Sequence, residues 1–307
     1  MCGLCGFTSY ADKKIEDLHS LTNALMDSSE TRGTDASGIA YCDDGRVLLC
    51  KASKRASQLN FKPPAKIRAL IGHTRHTTQG SERKNYNNHP FSGRTKNASF
   101  ALAHNGVLFR EHEVQKKHHL PRTKIETDSY VAVQLIEKQG VLNHDSMKFM
   151  AETIEGSFSF SLLDDKNNVH LIKGDSPLSL LHFPSERLYV YASTDEILWK
   201  GLVETALFPV LKAGKFEPIP IDAGDILTIA GNGERMKSRF DYREMAYCSQ
   251  FDWRSYGHSP MANPYLDDLK AVASSMGYEP ELVDDLLAEG VTCEEIEDYL
   301  YDSVWEV

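Results

Sequence analysis

Apolar residues recur at helical spacing through Ile15, Leu18, Leu21 and Leu25, which predicts an amphipathic helix over about 12–30. Just ahead of it, Gly3-Leu4-Cys5-Gly6-Phe7 reads as a strand on which the helix's apolar face packs. A run of small and polar residues, Arg32-Gly33-Thr34-Asp35-Ala36-Ser37-Gly38, then leads into a strand. Asp44-Gly45 marks a hairpin turn, and Val47-Leu48-Leu49 is the returning strand. The short apolar strand Ala69-Leu70-Ile71-Gly72 delivers the donor-rich stretch His73-Thr74-Arg75-His76-Thr77-Thr78-Gln79-Gly80 at its end. Two further polar clusters sit at strand ends: Asn87-Asn88-His89-Pro90-Phe91, and His104-Asn105-Gly106 after the strand Phe100-Ala101-Leu102-Ala103. Glu126-Thr127-Asp128-Ser129 opens a helix through Val131, Leu135 and Ile136 that stops at Gly140, with Thr127 or Asp128 as its cap.

The rest of the main pattern is structural. It comprises a helix over about 144–154, a strand over 157–163, strands near 168–173 and 187–192, a short helix near 195–203 and a hairpin around Gly231-Asn232-Gly233. Antiparallel runs of strands between two groups of helices make a layered α+β pattern, not a βαβ repeat. Beyond about 245 comes a polar, aromatic linker from Tyr247 to Pro264. Three short helical patterns follow, marked by Leu266, Leu269 and Val272, by Leu282, Leu286 and Leu287, and by Ile296, Tyr299 and Leu300. The chain therefore divides into a main domain, 2–245, and a linker with a small helical appendage, 246–307.

With 307 residues, 41% hydrophobic and 25% charged, the chain can bury a full core. Its net charge of -10 and pI near 5.6 provide no basic face for nucleic acid. No apolar run approaches a membrane span and the start lacks a secretory pattern, so a cytoplasmic protein is expected. Six cysteines, at positions 2, 5, 42, 50, 248 and 293, do not form a disulfide framework. Cys2 and Cys5 make a C-x-x-C, but residues three apart on a strand point to opposite faces, and no partner motif follows at zinc-site spacing. Cys5 is expected to be a small buried hydrophobe.

Cys2 is different, because it stands directly behind Met1 and becomes the terminal residue once that methionine is trimmed. A terminal cysteine carries both a thiol and an α-amine whose unperturbed pKa is about 7.7–8.0, so one residue supplies nucleophile and base.

Taken in order and spacing, Cys2-Gly3, Arg32-Gly33-x-Asp35, Gly72-His73-x-Arg75-x-x-Thr78, Asn88-His89-Pro90, His104-Asn105-Gly106 and Thr127-Asp128 resemble the class II glutamine amidotransferase domain, an N-terminal nucleophile (Ntn) hydrolase. The resemblance spans about 2–230. It implies a four-layer αββα sandwich whose first strand presents the nucleophile. It also implies roles: Cys2 attacks, Asn105 and Gly106 form the oxyanion hole, and Arg75 and Asp128 hold the carboxylate and the ammonium of glutamine. Thr78 is expected to line the pocket. A surface ion pair for Arg75 and a plain helix cap for Asp128 remain the structural alternatives. One departure is His76, which stands where the aminosugar-forming members of the family typically have tryptophan. His73, His76, His89 and His104 invite a metal reading, yet three of them occupy family motif positions where imidazoles hydrogen-bond within the fold, so neither metal nor cofactor is expected. His118-His119, beside Lys116 and Lys117, reads as a solvated basic stretch.

No segment reads as the synthase domain that such amidotransferases normally feed with ammonia. Three functions follow: a glutaminase subunit serving a separate synthase or acting as a homo-oligomer, a self-contained hydrolase of another γ-glutamyl amide, or a non-catalytic partner-binding relative. The intact Cys2, Arg75, Asn105, Gly106 and Asp128 argue against the third.

Overall fold

The structure is a computed structural model that describes residues 2–12, 15, 17–242, 266, 269–270, 273–274, 278–288, 291 and 296. Its strands are β1 (Gly3–Ser9), β2 (Ala36–Asp43), β3 (Arg46–Ala52), β4 (Ala69–Arg75), β5 (Phe91–Arg94), β6 (Ser99–Phe109), β7 (Glu155–Asp164), β8 (Val169–Lys173), β9 (Ser179–Phe183), β10 (Leu188–Ala192), β11 (Glu217–Pro218), β12 (Asp225–Ile229) and β13 (Arg235–Arg239). The helices of the same region are α1 (Leu18–Ser29), α2 (Glu111–Lys117), α3 (Tyr130–Gln139), α4 (His144–Thr153), α5 (Asp195–Val203) and α6 (Phe208–Lys212).

Two antiparallel sheets result, one ordered β11-β9-β10-β1-β4-β2-β3 and the other β13-β12-β8-β7-β6-β5. Strand alternation decides what each face buries. On β1, Cys5 and Phe7 pack with Leu21, Leu25 and Met26 of α1 and with Ile197 and Leu202 of α5, while Leu4 faces the other way. Leu4, Ile71, Ala101, Ala103 and Leu171 fill the layer between the sheets. On the far side of the second sheet, Phe100, Leu102, Phe160 and Ile172 pack with Val131 and Leu135 of α3 and Met147 and Met150 of α4. Three apolar layers between four layers of structure are the αββα sandwich.

Several boundaries differ from the sequence reading. The first helix starts at Leu18 and ends in a 3-10 turn over Glu30–Arg32. Strand β4 runs through His73-Thr74-Arg75, and β6 through His104-Asn105-Gly106, so two polar clusters read as strand ends lie inside strands. His73, Thr74, Arg75 and His104 survive there because their side chains find hydrogen-bond partners brought in by the fold, a tertiary fact invisible to periodicity. Strands β5, β9 and β11 and helices α2 and α6 have no counterpart in the sequence reading. Helix α4 has a full capping box on Asn143 and Ser146. Helix α3 ends at Gly140, which takes the left-handed conformation, but its cap position is Ser129, with no side-chain cap. Neither Thr127 nor Asp128 caps it, since the Asp128 carboxylate is turned elsewhere.

The chain forms two compact units, 1–243 and 244–307. In the second, a helix spans Glu281–Ala288, with Val283 buried and Asp284 paired to Lys270 at 2.7 Å. The linker Tyr247 to Pro264, Val272, Tyr299, Leu300, Cys248 and Cys293 lie outside the described residues. Among the described residues no helix is long and apolar enough to cross a membrane.

Candidate active site

Register brings the motifs to one end of the sandwich. β1 and β4 are antiparallel with Gly3 opposite Thr74, so the start of β1, where Cys2 stands, lies beside the end of β4, where Arg75 stands. Residues 69, 71, 73 and 75 of β4 share a face, as do 101, 103 and 105 of β6; Ala69, Ile71, Ala101 and Ala103 place both faces in the layer between the sheets. Arg75 and Asn105 thus point into the same interlayer from opposite sheets. His73 ties the sheets together there, its Nε2–H donating to the His104 carbonyl at 2.9 Å.

The Arg32-Gly33-x-Asp35 motif is a scaffold for this corner. Arg32 Nε donates to the Cys2 carbonyl at 3.1 Å. Gly33 passes so close to β4 that a Cβ would lie 2.4 Å from the Arg75 carbonyl carbon, which excludes any side chain. The Asp35 N–H donates to the Arg75 carbonyl at 2.9 Å, and its carboxylate accepts from the Thr77 N–H at 2.7 Å, so it fixes the chain on both sides of His76.

Cys2 is half-buried, and its thiol lies 3.6 Å from the His76 carbonyl. Burial pushes the thiol pKa up, so the resting group is a thiol that needs a base. No imidazole hydrogen-bonds it among the described residues. His104 is committed elsewhere, with Nδ1 on Ser129 Oγ at 2.8 Å and its ring stacked on Phe160, and burial holds its pKa down at about 3. Cys5 faces the opposite way, toward Met26, and burial pushes its pKa up to about 12. The two sulfurs do not converge.

Arg75 is buried and oriented by acceptors at one end: Asn88 Oδ1 at 2.7 Å from Nη1, and the Gln79 and Gly80 carbonyls at 2.5 and 3.0 Å from Nη2. It is not a surface ion pair. Among the described residues, three of its five N–H groups have hydrogen-bond partners. Asn88 is held in turn by its Nδ2, which donates to the Glu82 carbonyl at 2.8 Å. Lys51, missed in the sequence, donates to the Asn88 and Pro90 carbonyls and lies over the Phe91 ring; burial, then the neighbouring Arg75, lowers its pKa to about 8.

Asp128 is also buried. Its Oδ2 accepts from the Leu108 N–H at 2.6 Å, and its Oδ1 from the Ser129 N–H and hydroxyl at 2.7 and 3.1 Å. Burial nonetheless lifts its pKa to about 6, with Glu111 adding to the rise. Arg75 and Asp128 both act electrostatically on the Cys2 thiol, the first favouring the thiolate and the second opposing it. Thr78 is exposed and makes no hydrogen bond among the described residues, whereas the hydroxyl of its neighbour Thr77 is buried and unpartnered.

Asn105 is fully buried, yet neither its Oδ1 nor its Nδ2 has a partner among the described residues. A buried amide in that condition costs stability and calls for a functional reason. Gly106 follows at φ 130°. Opposite it, Phe158 sends its N–H to Asp175 Oδ1 and receives the Gly174 N–H on its carbonyl, so Gly106 and Phe158 are a non-hydrogen-bonded pair. The Gly106 N–H therefore points away from β7, on the side where β5 pairs only as far as Leu102. A Cβ at Gly106 would lie 2.0 Å from the Ser157 carbonyl oxygen. Gly106→Ala is accordingly expected to destabilise the protein by about 2 kcal/mol or more, from backbone strain plus the clash; a denaturant titration checks this.

Among the described residues, no group of three or more His, Cys, Asp or Glu side chains is placed to hold a metal. His73 and His89 are stacked at 4.1 Å, and burial lowers the pKa of both. Gln79 and Glu111, not singled out in the sequence, hydrogen-bond each other, and Gln79 also bonds Arg75 and Asp128. Glu111 gave no signal, because the helix that carries it was not predicted.

No family model matches the chain. A glutamine–fructose-6-phosphate aminotransferase (isomerizing) from Geobacillus kaustophilus is 31% identical over 187 residues, which are 58% of this chain and 30% of that protein. Its counterpart from Staphylococcus aureus strain N315 is 32% identical over 194 residues, 59% of this chain and 30% of the other. The chain therefore spans only 30% of the length of these curated relatives. Among solved structures, glutamine phosphoribosylpyrophosphate amidotransferase from B. subtilis, complexed with ADP and GMP, aligns with a TM-score of 0.62 at 21% identity, over 79% of this chain and 50% of that one. A structure described as the allosteric regulatory enzyme of purine biosynthesis gives 0.61 at 22% identity, with the same coverage.

Proposed function

We infer that this chain, which carries a class II glutamine amidotransferase domain with the Ntn-hydrolase sandwich, hydrolyses the side-chain amide of glutamine to glutamate and ammonia. The observation that carries the reading is the buried, unpartnered amide of Asn105, at the end of the sandwich where Cys2 and Arg75 also lie. Once Met1 is removed, the Cys2 α-amine takes the thiol proton and the thiolate attacks the amide carbon. Negative charge develops on the carbonyl oxygen, where the Asn105 Nδ2–H and the Gly106 N–H can receive it. The protonated amine then gives its proton to the departing nitrogen, which leaves as ammonia. Water attacks the thioester, releasing glutamate and restoring the thiol. Arg75 takes the substrate's α-carboxylate and Asp128 its α-ammonium. Ammonia passes to a synthase in a partner subunit or domain.

The direct test is to incubate purified protein with glutamine and with other γ-glutamyl amides and to assay glutamate. Turnover of glutamine above the others supports the reading, and turnover of only another amide overturns it. Arg75→Lys is expected to raise KM for glutamine on the order of tenfold or more, because a point charge replaces a planar fork. Steady-state kinetics beside a thermal melt check this. Unchanged KM at normal stability removes Arg75 from the pocket.

A further inference from the structure

Gln79 makes three hydrogen bonds in three directions. Its backbone carbonyl accepts from Arg75 Nη2 at 2.5 Å, its Oε1 accepts from the Asp128 N–H at 3.0 Å, and its Nε2 donates to Glu111 Oε1 at 3.0 Å. It therefore touches the guanidinium and the carboxylate-bearing residue assigned above to the two ends of one amino acid. Glu111, at the first turn of α2, is largely buried on its side chain. A carboxylate can only accept, so Glu111 dictates which edge of the Gln79 amide carries the N–H and turns the amide oxygen toward Asp128.

We propose that Gln79 is a positioning residue that holds the cationic and anionic ends of the glutamine clamp at a fixed separation, and that Glu111 orients it. The proposal rests on the reading of Arg75 and Asp128 as that clamp. Folding does not depend on this bridge alone, because the two segments are joined a second time. Asn87 Oδ1 accepts from the Glu126 N–H at 3.0 Å, and Asn87 Nδ2 donates to Glu126 Oε2 at 2.9 Å. Loss of Gln79 therefore loosens the spacing of the clamp and leaves the loop attached.

Glu111 has a second effect. The groups that face Asp128 are Glu111 from α2, the Leu108 N–H from β6, Ser129 beside it, and, at longer range, Arg75 of β4 and Cys2 ahead of β1. Of the charged ones, Glu111 opposes ionisation of Asp128. An ammonium needs the ionised form, so binding weakens as pH falls through the Asp128 titration. Removing the Glu111 charge moves that midpoint to lower pH.

The experiment measures glutamine binding calorimetrically in the full-length Cys2→Ala protein, which does not turn the ligand over, across pH 5 to 8. Gln79→Ala is added in one arm and Glu111→Gln in another, each with a thermal melt. Expected are a loss of affinity on the order of tenfold for Gln79→Ala, a midpoint at lower pH for Glu111→Gln, and melting temperatures near that of the parent. With Cys2 intact, Gln79→Ala should raise KM and leave kcat nearly unchanged, which a general loss of structure would not do. If the parent binds glutamine and both variants match it in affinity and midpoint, the positioning role is overturned. If the parent binds no glutamine at any pH, the clamp assignment itself falls, and this proposal with it.

Discussion

Cys2→Ala is expected to lower glutamine hydrolysis by at least about four orders of magnitude, the scale seen when a covalent nucleophile is removed, while the protein melts as wild type. The structural argument for the second half is simple. Cys2 precedes β1 and its thiol makes one long hydrogen bond, to the His76 carbonyl, so its loss breaks no strand pairing. The argument for the first half is that, among the described residues, no other cysteine is placed to substitute. Cys5 is sealed under Met26, with its pKa pushed up to about 12, and Cys42 is buried with a raised pKa. Cys50 is exposed on β3, away from the start of β1. A glutamine-like electrophile should consequently add once, on the N-terminal peptide, and the intact mass should lack one methionine. A stricter variant keeps the thiol and places an uncleavable extension before Cys2, converting the amine to an amide. That protein should be equally inactive, because burial leaves the thiol protonated and, among the described residues, no imidazole is hydrogen-bonded to it. Full activity with Met1 retained would remove the amine from the mechanism.

The second large effect is expected at Asn105. Asn105→Ala should lower kcat about 100-fold to 1000-fold, the typical loss for one oxyanion donor, with KM little changed. The interaction forms only as charge develops on the substrate oxygen, so it stabilises the transition state and not the bound ground state. Stability should move the other way. Asn105 buries an amide whose Oδ1 and Nδ2 have no partner among the described residues, and removing it relieves that cost, so the melting temperature should hold or rise. Opposite movements of stability and kcat distinguish a donor held in readiness from a core residue, which would lose both. A kcat within twofold of wild type would exclude Asn105 from the oxyanion hole.

Much of the frame was legible along the chain. Leu18, Leu21 and Leu25 predicted the α1 face that packs on Phe7, and Asp44-Gly45 predicted the hairpin between β2 and β3, where both residues take positive φ. These are local signals, because side-chain periodicity and left-handed turn residues carry their information within a few positions. The αββα sandwich and the kind of site, in contrast, became legible only through the resemblance of six separated motifs, since no local pattern states which strands pair.

Pairing is what the tertiary structure decided. His73-Thr74-Arg75 and His104-Asn105-Gly106 are too polar to read as strand, yet they lie inside β4 and β6, because His73, Thr74, Arg75 and His104 each find a buried hydrogen-bond partner from a distant segment or a neighbouring loop. Asp128 looked like a helix cap and is instead a buried carboxylate bound to Leu108 and Ser129, since β6 passes beside it. The residues that brace Cys2, Arg75 and Asp128, namely Arg32, Lys51, Gln79, Asn88 and Glu111, act on groups as far as 49 positions away, with Arg32 on Cys2 and Gln79 on Asp128 among them. Sequence alone singled out the residues proposed to carry the chemistry: the thiol at position 2, the guanidinium at 75 and the amide at 105. Their convergence, and the burial that shifts Cys2 and Asp128 upward, arise only when antiparallel register sets the start of β1 against the end of β4 and lays β6 across from both.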